Sequence, residues 1–581
     1  MEQMKRIPYG ISNFRQVRRD NMYYVDKTMY IERLEQAGNF LFLIRPRRFG
    51  KSLFLNMLCS YYDLARQDEF DTVFDGLYAK EHPTPEKGQY QVLRLDFSRI
   101  GGKDSELEDN FDSYCGIMLD SFASTYAQCY PEGFAERVRN IKKANQKLNF
   151  IDAEAKNTGA RLYLVIDEYD NFTNTVLNEE GEAVYHALTH ATGFYRNTFK
   201  QYKGMFDRIL MLGVSPVTMD DLTSGYNIAT NITMDPRFNM MLGFSETDVR
   251  EMIRYYQGTG QISATEKEII DEIKPWYDNY CFAKYSLDAD PKMFNCDMVL
   301  YYMQHLVNLG QSPEQMIDPN TRTDYGKMKK LIRLDGTGSY RTGIINKIAE
   351  QGYILGNIEE SFPAEQLTKP EKFVSLLFYY GMLTIGENLG NMLKLIIPNN
   401  NVRKQYYDYM LEEYQNIANV DTWQLNMDFH QTAVEGNWQP MMQHLAEYYR
   451  QNTAIRQLIE GERNVQGFFN AYLSLNPYYL TAPEVELNHG YCDFFLMPDL
   501  KRYPMIRHSY IVELKYLPTT ASETEVTKQW EQAVSQILQY AEGRMVNKLA
   551  GETELHLIIM QIKGFSMIRM EEIPFTDTKE E

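Results

Sequence analysis

Three groups of residues have the types and spacing that chemistry can use. Gly50-Lys51-Ser52 closes a short basic loop, Arg45-Pro46-Arg47-Arg48-Phe49, that follows the apolar run Phe40 to Ile44. Asp167-Glu168 ends a second apolar run, Leu162 to Ile166. Glu513 and Lys515 stand two apart on a third, Tyr510 to Tyr516, with Asp493 on the run before it. The first two groups fit a phosphate site, which needs backbone N–H groups aimed at the phosphates, a bridging lysine and a hydroxyl for Mg²⁺. Gly50, Lys51 and Ser52 meet the second half of that requirement, while Arg45 stands where the pattern G-x-x-x-x-G-K-[ST] has its leading glycine. Asp167 is suited to hold Mg²⁺ together with Ser52, and Glu168 to orient or deprotonate the attacking water. A basic turn before a surface helix and an acidic strand end would each produce one motif, but the pair, about 115 residues apart, points to a nucleotide site.

The elements that must position these groups are legible around them. Phe40 to Ile44 and Leu162 to Asp167 read as buried parallel strands whose carboxyl ends carry the polar residues, the place where ligands sit in such sheets. A helix starts at Lys51, Tyr90 to Phe97 is a second strand, and Phe111 to Ala144 reads as one long helical region. Arg208 to Ser215 is a further strand, ending in a hydroxyl placed to sense a γ-phosphate or to cap the next helix. Tyr23 to Thr28 reads as a short aromatic strand before the helix Met29 to Gln36, either lining an adenine pocket or supplying a cap through Asp26 or Thr28. Arg196, Arg208 and Arg237 are each candidates for phosphate contact. His186 and His190 have the i, i+4 spacing of a metal pair, but Ala187 stands where a zincin needs glutamate, so they read as surface histidines.

The 581 residues predict three or four domains, and a composition of 44% hydrophobic and 24% charged residues is that of a folded protein. A net charge of -19 repels a polyanion at long range, which disfavours a protein that coats DNA and confines any nucleic-acid contact to a local basic surface. No run is apolar enough to span a bilayer and no leader-like segment opens the chain, so a cytoplasmic location without membrane contact is expected. The six cysteines show no C-x-x-C spacing, which argues against a zinc ribbon or disulfide framework.

Tyr24-Val25-Asp26-Lys27-Thr28, the loop Arg45 to Ser52, Asp167-Glu168-Tyr169-Asp170, Gly213-Val214-Ser215-Pro216-Val217-Thr218-Met219 and Asp235-Pro236-Arg237-Phe238 together resemble the AAA-ATPase-like family of bacteria, whose loop also lacks the leading glycine. The resemblance implies ATP and Mg²⁺ as cofactors, with Arg45, Arg47, Arg48, Phe49, Gly50, Lys51, Ser52, Leu53, Asp167 and Ser215 at the nucleotide. Many members carry a C-terminal PD-(D/E)XK nuclease domain. Here the order helix, strand with Asp493, strand with Glu513 and Lys515, helix with Gln536, strand is similar to that nuclease core, and Glu462 resembles its extra acidic residue on the first helix. The chemistry matches the residue types: Asp493, Glu513 and Glu462 for Mg²⁺, with Lys515 for the developing charge or the nucleophile and Gln536 beside them.

The expected fold is therefore α/β: a P-loop NTPase parallel sheet over 1–243, a helical lid over 244–365, a winged-helix-like connector over 366–440, and an α/β restriction-endonuclease-like PD-(D/E)XK domain over 441–581. The connector rests on a helix from Glu371 to Tyr380 and two short strands about a polar turn. The implied activity is ATP binding, with hydrolysis expected, coupled to Mg²⁺-dependent phosphodiester cleavage of nucleic acid, DNA ahead of RNA. The alternative is a nucleotide-driven interaction switch whose C-terminal fold only binds. A homo-oligomer or partner proteins fit either reading.

Overall fold

The computed structural model describes residues 4–101, 104–171, 194–216, 229–289, 292–321, 339–362, 366, 369–415, 421–451, 462–487, 490–541, 546 and 549–575. The chain divides into two compact units, one of residues 1–341 with 355–402 and one of residues 342–354 with 403–581.

Five strands build the main sheet of the first unit: β1 (Phe40–Ile44), β2 (Gln91–Asp96), β3 (Leu162–Asp167), β4 (Arg208–Gly213) and β5 (Thr230–Asn231), in the order β2-β3-β4-β1-β5. Every pairing is parallel, so all carboxyl ends share one edge. β3 and β4 are buried along their whole length, which is why they read as unbroken apolar runs. β4 lies between β1 and β3, leaving roughly 10 Å between the two strands that carry the polar motifs. The loop after β1 and the helix Lys51–Tyr62 cross that gap, the helix packing against β2 and β3.

The expected strand at Tyr23–Thr28 is instead an extended loop, tied down by the Asp26 carboxylate, which accepts the Thr28 N–H and hydroxyl and the Tyr78 N–H. The expected long helical region is three helices, Asp104–Thr125, Phe134–Asn140 and Ala144–Thr158. Pro131 and Gly133 cause the first break: proline removes a donor, and Gly133 adopts φ 78°.

The helical segment that follows the sheet begins at Glu246–Gly258, capped reciprocally by Ser245 and Asp248, and continues with Glu266–Tyr277, capped by Thr265 and Glu268. Their apolar faces close on the helix Cys296–Leu309 around Ile253, Ile269, Ile273 and Met303. A small sheet follows, of Tyr353–Gly356 (β6), Thr384–Asn388 (β7) and Leu393–Ile396 (β8) in the order β6-β8-β7, with the helix Pro370–Tyr379 before the β7–β8 hairpin.

The second unit holds a sheet of Tyr479–Leu487 (β9), Gly490–Pro498 (β10), His508–Leu517 (β11), Glu554–Lys563 (β12) and Ser566–Glu572 (β13), ordered β13-β12-β11-β10-β9. β11 and β12 are parallel and the other pairs antiparallel. The parallel pair requires a crossover, and the helix Glu523–Ala541 is part of it, burying Trp530, Ala533 and Ile537 against the sheet. Among the described residues no helix is long and apolar enough to cross a membrane.

Candidate functional site

Gly50 ends the loop after β1 at φ 82°, and the helix beginning at Lys51 leaves its first N–H groups without helical partners. They face a cavity of about 560 Å³, a volume that suits a nucleotide-sized ligand. Arg47, Arg48, Phe49, Gly50, Lys51, Ser52 and Leu53 line it, with Tyr24 and Val25 on one wall and Glu168 on another. An adjoining polar cavity of about 250 Å³ shares Ser52 and Glu168 and adds Asp167, Arg94 and Asn56.

The Lys51 ammonium is buried and donates to the carbonyls of Arg45 (2.9 Å) and Pro46 (2.8 Å). Burial pulls its pKa below the usual lysine value, and the Glu168 and Asp167 carboxylates oppose that shift. Burial also raises the Asp167 carboxyl, against the Ser52 hydroxyl and the Arg94 guanidinium, the latter 3.5 Å away. One oxygen of Asp167, Oδ1, is buried with no hydrogen-bond partner. An orphaned carboxylate oxygen beside a serine hydroxyl at the edge of a phosphate loop has the donor set that Mg²⁺ takes, so the residues fit the expected cation.

Two non-glycine residues here have left-handed backbones, Arg48 at φ 68° and Glu168 at φ 48°. Such conformations are costly and cluster at functional sites. Around Glu168 the cause is local: Asp170 accepts the N–H groups of Val214 and Ser215, and the Tyr169 hydroxyl donates to the Ser215 carbonyl at 2.7 Å. These bonds lock the end of β3 to the end of β4. Gly213 permits it, because a Cβ there would lie 2.3 Å from the Tyr169 ring.

Other expected residues are placed differently. Arg45 is fully buried and turns its guanidinium away from the cavity, donating to the carbonyls of Ile44, Thr233 and Phe238 and lying 4.3 Å over the Phe282 ring. Its burial pulls its pKa down to about 9. An arginine in place of the leading glycine thus braces the loop from behind. Phe49 lines the cavity as expected and also packs its ring against Tyr280 and Phe282. Ser215 is completely buried, its hydroxyl against Tyr380, and lines neither cavity. Arg208 lies at the amino end of β4, remote from the site, and hydrogen-bonds Tyr90. Arg237 pairs with Asp235 at 2.6 Å. The side chain of Arg196, both residues His186 and His190, and the stretch 217–228 lie outside the described residues.

Arg94 was missed by sequence reasoning. It alternates with buried residues on β2 and donates to Asn56 at 2.9 Å, so Asn56, Arg94 and Asp167 form one chain of polar contacts. The alternation of β2 shows that Arg94 shares a face with Asp96, but only the β2–β3 pairing brings it to Asp167.

Two ion pairs join this cavity to the helices that follow. Lys27 meets Asp248 at 2.7 Å, in the capping box of Glu246–Gly258, and Arg48 meets Asp297 at 2.7 Å, in the first turn of Cys296–Leu309.

The second cluster is built on β10, β11 and the crossover helix. Asp493 accepts the Gln466 amide at 2.6 Å and the Leu514 N–H at 2.7 Å. Glu513 is buried, its carboxylate 2.6 Å from the Lys515 ammonium, while Val512 and Leu514 enter the core on the other face. Gln536 donates to the Tyr540 hydroxyl. Burial and the charge of Glu513 push that phenol up to about 12, with Lys515 and Asp493 also acting on it. Tyr540 and Gln466 were missed. The signal for Tyr540 was its i, i+4 relation to Gln536, which puts both on one helix face. Asp493 on β10 and Glu513 on the adjacent β11 offer two carboxylates, a hard-cation donor set that fits Mg²⁺ or Mn²⁺. Glu462 opens the helix Glu462–Leu473 one turn before Gln466, but its side chain lies outside the described residues.

Two family models match parts of the chain. Residues 8–223 match the family model described as a predicted AAA-ATPase, and residues 460–572 match that of the PD-(D/E)XK nuclease superfamily. The chain is thus similar to a predicted AAA-ATPase over its first part and to the PD-(D/E)XK nuclease superfamily near its end. A protein encoded in the vnfD 5' region of Azotobacter chroococcum mcd 1, described as uncharacterized, is 27% identical over 294 residues. That match covers 48% of this chain and 48% of the relative, so the chain spans about half the length of the curated relative it matches. Among solved structures, the chain is similar to Cdc6p of Pyrobaculum aerophilum (TM-score 0.24, 10% identity, covering 64% of this chain and 88% of that one). The ORC2 protein of Aeropyrum pernix, in ADPNP and ADP complexes, gives a TM-score of 0.31 at 11% identity, covering 67% and 93%.

Proposed function

We propose that this AAA-ATPase-like protein binds and hydrolyses ATP in the cavity at Gly50 to Leu53, and that its PD-(D/E)XK module cleaves phosphodiester bonds in nucleic acid with a divalent cation. The observation that carries the reading is that two separate clusters each combine a lysine with carboxylates on buried strands, one of them at a helix N-terminus. In the first, the N–H groups of Gly50 to Leu53 and the Lys51 ammonium hold the phosphates, Ser52 and Asp167 hold Mg²⁺, and the Glu168 carboxylate accepts a proton from the attacking water. In the second, Asp493 and Glu513 hold the cation, the Lys515 ammonium faces the developing negative charge, and Gln536 fixes the Tyr540 hydroxyl beside them. Bound Mg²⁺ supplies charge neutralisation at the phosphate in both places and a more acidic water in the second. DNA is the favoured substrate. The Lys27–Asp248 and Arg48–Asp297 pairs support a link in which nucleotide binding shifts the helical segment and thereby regulates cleavage.

The deciding experiment is cleavage of a mixed DNA and RNA panel with Mg²⁺ or Mn²⁺, with and without ATP, by the intact chain, Lys51→Ala and Lys515→Ala. Cleavage that disappears in Lys515→Ala supports the nuclease, and ATP dependence that disappears in Lys51→Ala supports the coupling. Intact ATP binding with no cleavage of any substrate would overturn the nuclease in favour of an interaction switch.

A further inference from the structure

At the amino ends of β11 and β12, remote from Glu513 and Lys515, three metal-ligating side chains converge. His508 Nδ1 lies 2.9 Å from His556 Nε2 and 3.5 Å from Glu554 Oε2. The ligand atoms of His508, Glu554 and His556 all fall within 4.8 Å of one another. His508 and Glu513 are five residues apart on one strand, roughly 17 Å, so this cluster is separate from the nuclease cluster.

The spacing suits a four-coordinate cation. Ligand atoms held about 2.0–2.1 Å from a tetrahedral centre stand roughly 3.3 Å from each other, and the separations of 2.9 and 3.5 Å bracket that distance. The proton arrangement suits it as well. His556 Nδ1 is 2.7 Å from Glu572 Oε1, and an ionised carboxylate only accepts, so the Nδ1 of His556 carries the ring proton and Nε2 presents a lone pair. This carboxylate–imidazole arrangement orients metal-ligating histidines in proteins. Glu572 is fixed in turn by the Trp438 indole N–H at 3.1 Å, and the Tyr510 ring stacks on His556 at 4.9 Å. Gly436, at φ 73°, packs its backbone on His508 where a Cβ would lie 2.8 Å from the ring.

We propose that His508, His556 and Glu554 form a binding site for a borderline transition cation of the Zn²⁺ class, with Glu572 as the positioning residue for His556. Two imidazoles with one carboxylate select such a cation over Mg²⁺ or Ca²⁺, which prefer all-oxygen sites. In the metal-free state the Nδ1–H of His508 donates to His556 Nε2. On binding, His508 loses its Nδ1 proton to solvent and gains one at its own Nε2, so that His508 Nδ1 and His556 Nε2 both present lone pairs and the fourth position is left to water. The bound ion ties β11 to β12 at the start of their parallel pairing.

The test is titration of the full chain with Co²⁺, followed by its visible absorption, together with Zn²⁺ affinity measured against a chromophoric chelator. The nuclease and nucleotide clusters offer oxygen donors and give only the weak bands of six-coordinate cobalt, so the signals separate. Expected are the intense bands of four-coordinate cobalt at one equivalent, their loss in His508→Ala/His556→Ala, and Zn²⁺ affinity about 10- to 100-fold lower in Glu572→Gln. Glu554 is exposed, so Glu554→Gln preserves the fold and is expected to weaken Zn²⁺ by tenfold or more. Absence of the intense bands in the wild type, or bands and Zn²⁺ affinity unchanged in Glu554→Gln and the double histidine variant, would overturn the site.

Discussion

At the scale of single residues, the lysines are the most exposed to test. Lys51 holds the loop closed through the Arg45 and Pro46 carbonyls, and a nucleotide would offer its ammonium phosphate oxygens instead. A charge-assisted hydrogen bond contributes about 1.5–3 kcal/mol, so Lys51→Ala should weaken ATP binding about 10- to 100-fold, read by titration with a fluorescent ATP analogue. Lys515 faces Glu513 across 2.6 Å, and removing it leaves a buried carboxylate without its counter-charge. Lys515→Ala should lower cleavage at least about 100-fold, the scale of losing a group that meets transition-state charge. Tyr540→Phe should lower it less, about tenfold. Measured side by side, an equal loss in both variants would place the phenol in direct contact with the reacting phosphate.

At the scale of elements, the ends of β3 and β4 are joined as one unit by Asp170, Tyr169 and the bare Cα of Gly213. Gly213→Ala drives a methyl group into Tyr169 and Asp170, an overpacking that should cost about 1–3 kcal/mol and lower both the melting temperature and ATP affinity. A conservative change with no effect on either would show that the strand ends move independently. The helix Glu266–Tyr277 ends on Asp278, which is buried with one carboxylate oxygen unsatisfied. Burial raises its carboxyl from 3.8 to about 6. The folded state therefore holds its proton more tightly than the unfolded chain does, and stability falls as pH rises from about 4 to about 6. The loss is about 3 kcal/mol at most, and Asp278→Asn should recover part of it at pH 7 and none at pH 4 in thermal unfolding.

At the scale of the whole molecule, the two compact units carry the two chemical clusters separately: Lys51, Asp167 and Glu168 in the first, Asp493, Glu513 and Lys515 in the second. Lys515→Ala should accordingly leave ATP affinity within about twofold of the wild type, measured in the intact chain. The His508–His556–Glu554 cluster adds a third position in the second unit with different ligand chemistry. Zinc should therefore shift the unfolding of that unit without restoring cleavage to Lys515→Ala, which differential scanning calorimetry and the cleavage assay would read independently.

The sequence by itself determined the fold class and the order of the chemical groups. Apolar runs such as Leu162 to Ile166 are buried on both faces, and only strands inside a covered parallel sheet tolerate that composition. Gly-Lys-Ser after such a run, and Glu-x-Lys on another, are local patterns whose geometry follows from the period of the element that carries them. Contacts between elements were decided by the tertiary structure. Arg45 belongs to the loop in sequence, yet its guanidinium is drawn behind it by the Thr233 and Phe238 carbonyls, nearly two hundred residues on. Arg94 reaches Asp167 only because β2 pairs with β3, and His508 meets His556 only because β11 and β12 run parallel in register. Periodicity fixes the face on which a side chain stands, but strand order and register decide what stands opposite, and those arise from packing of the whole sheet.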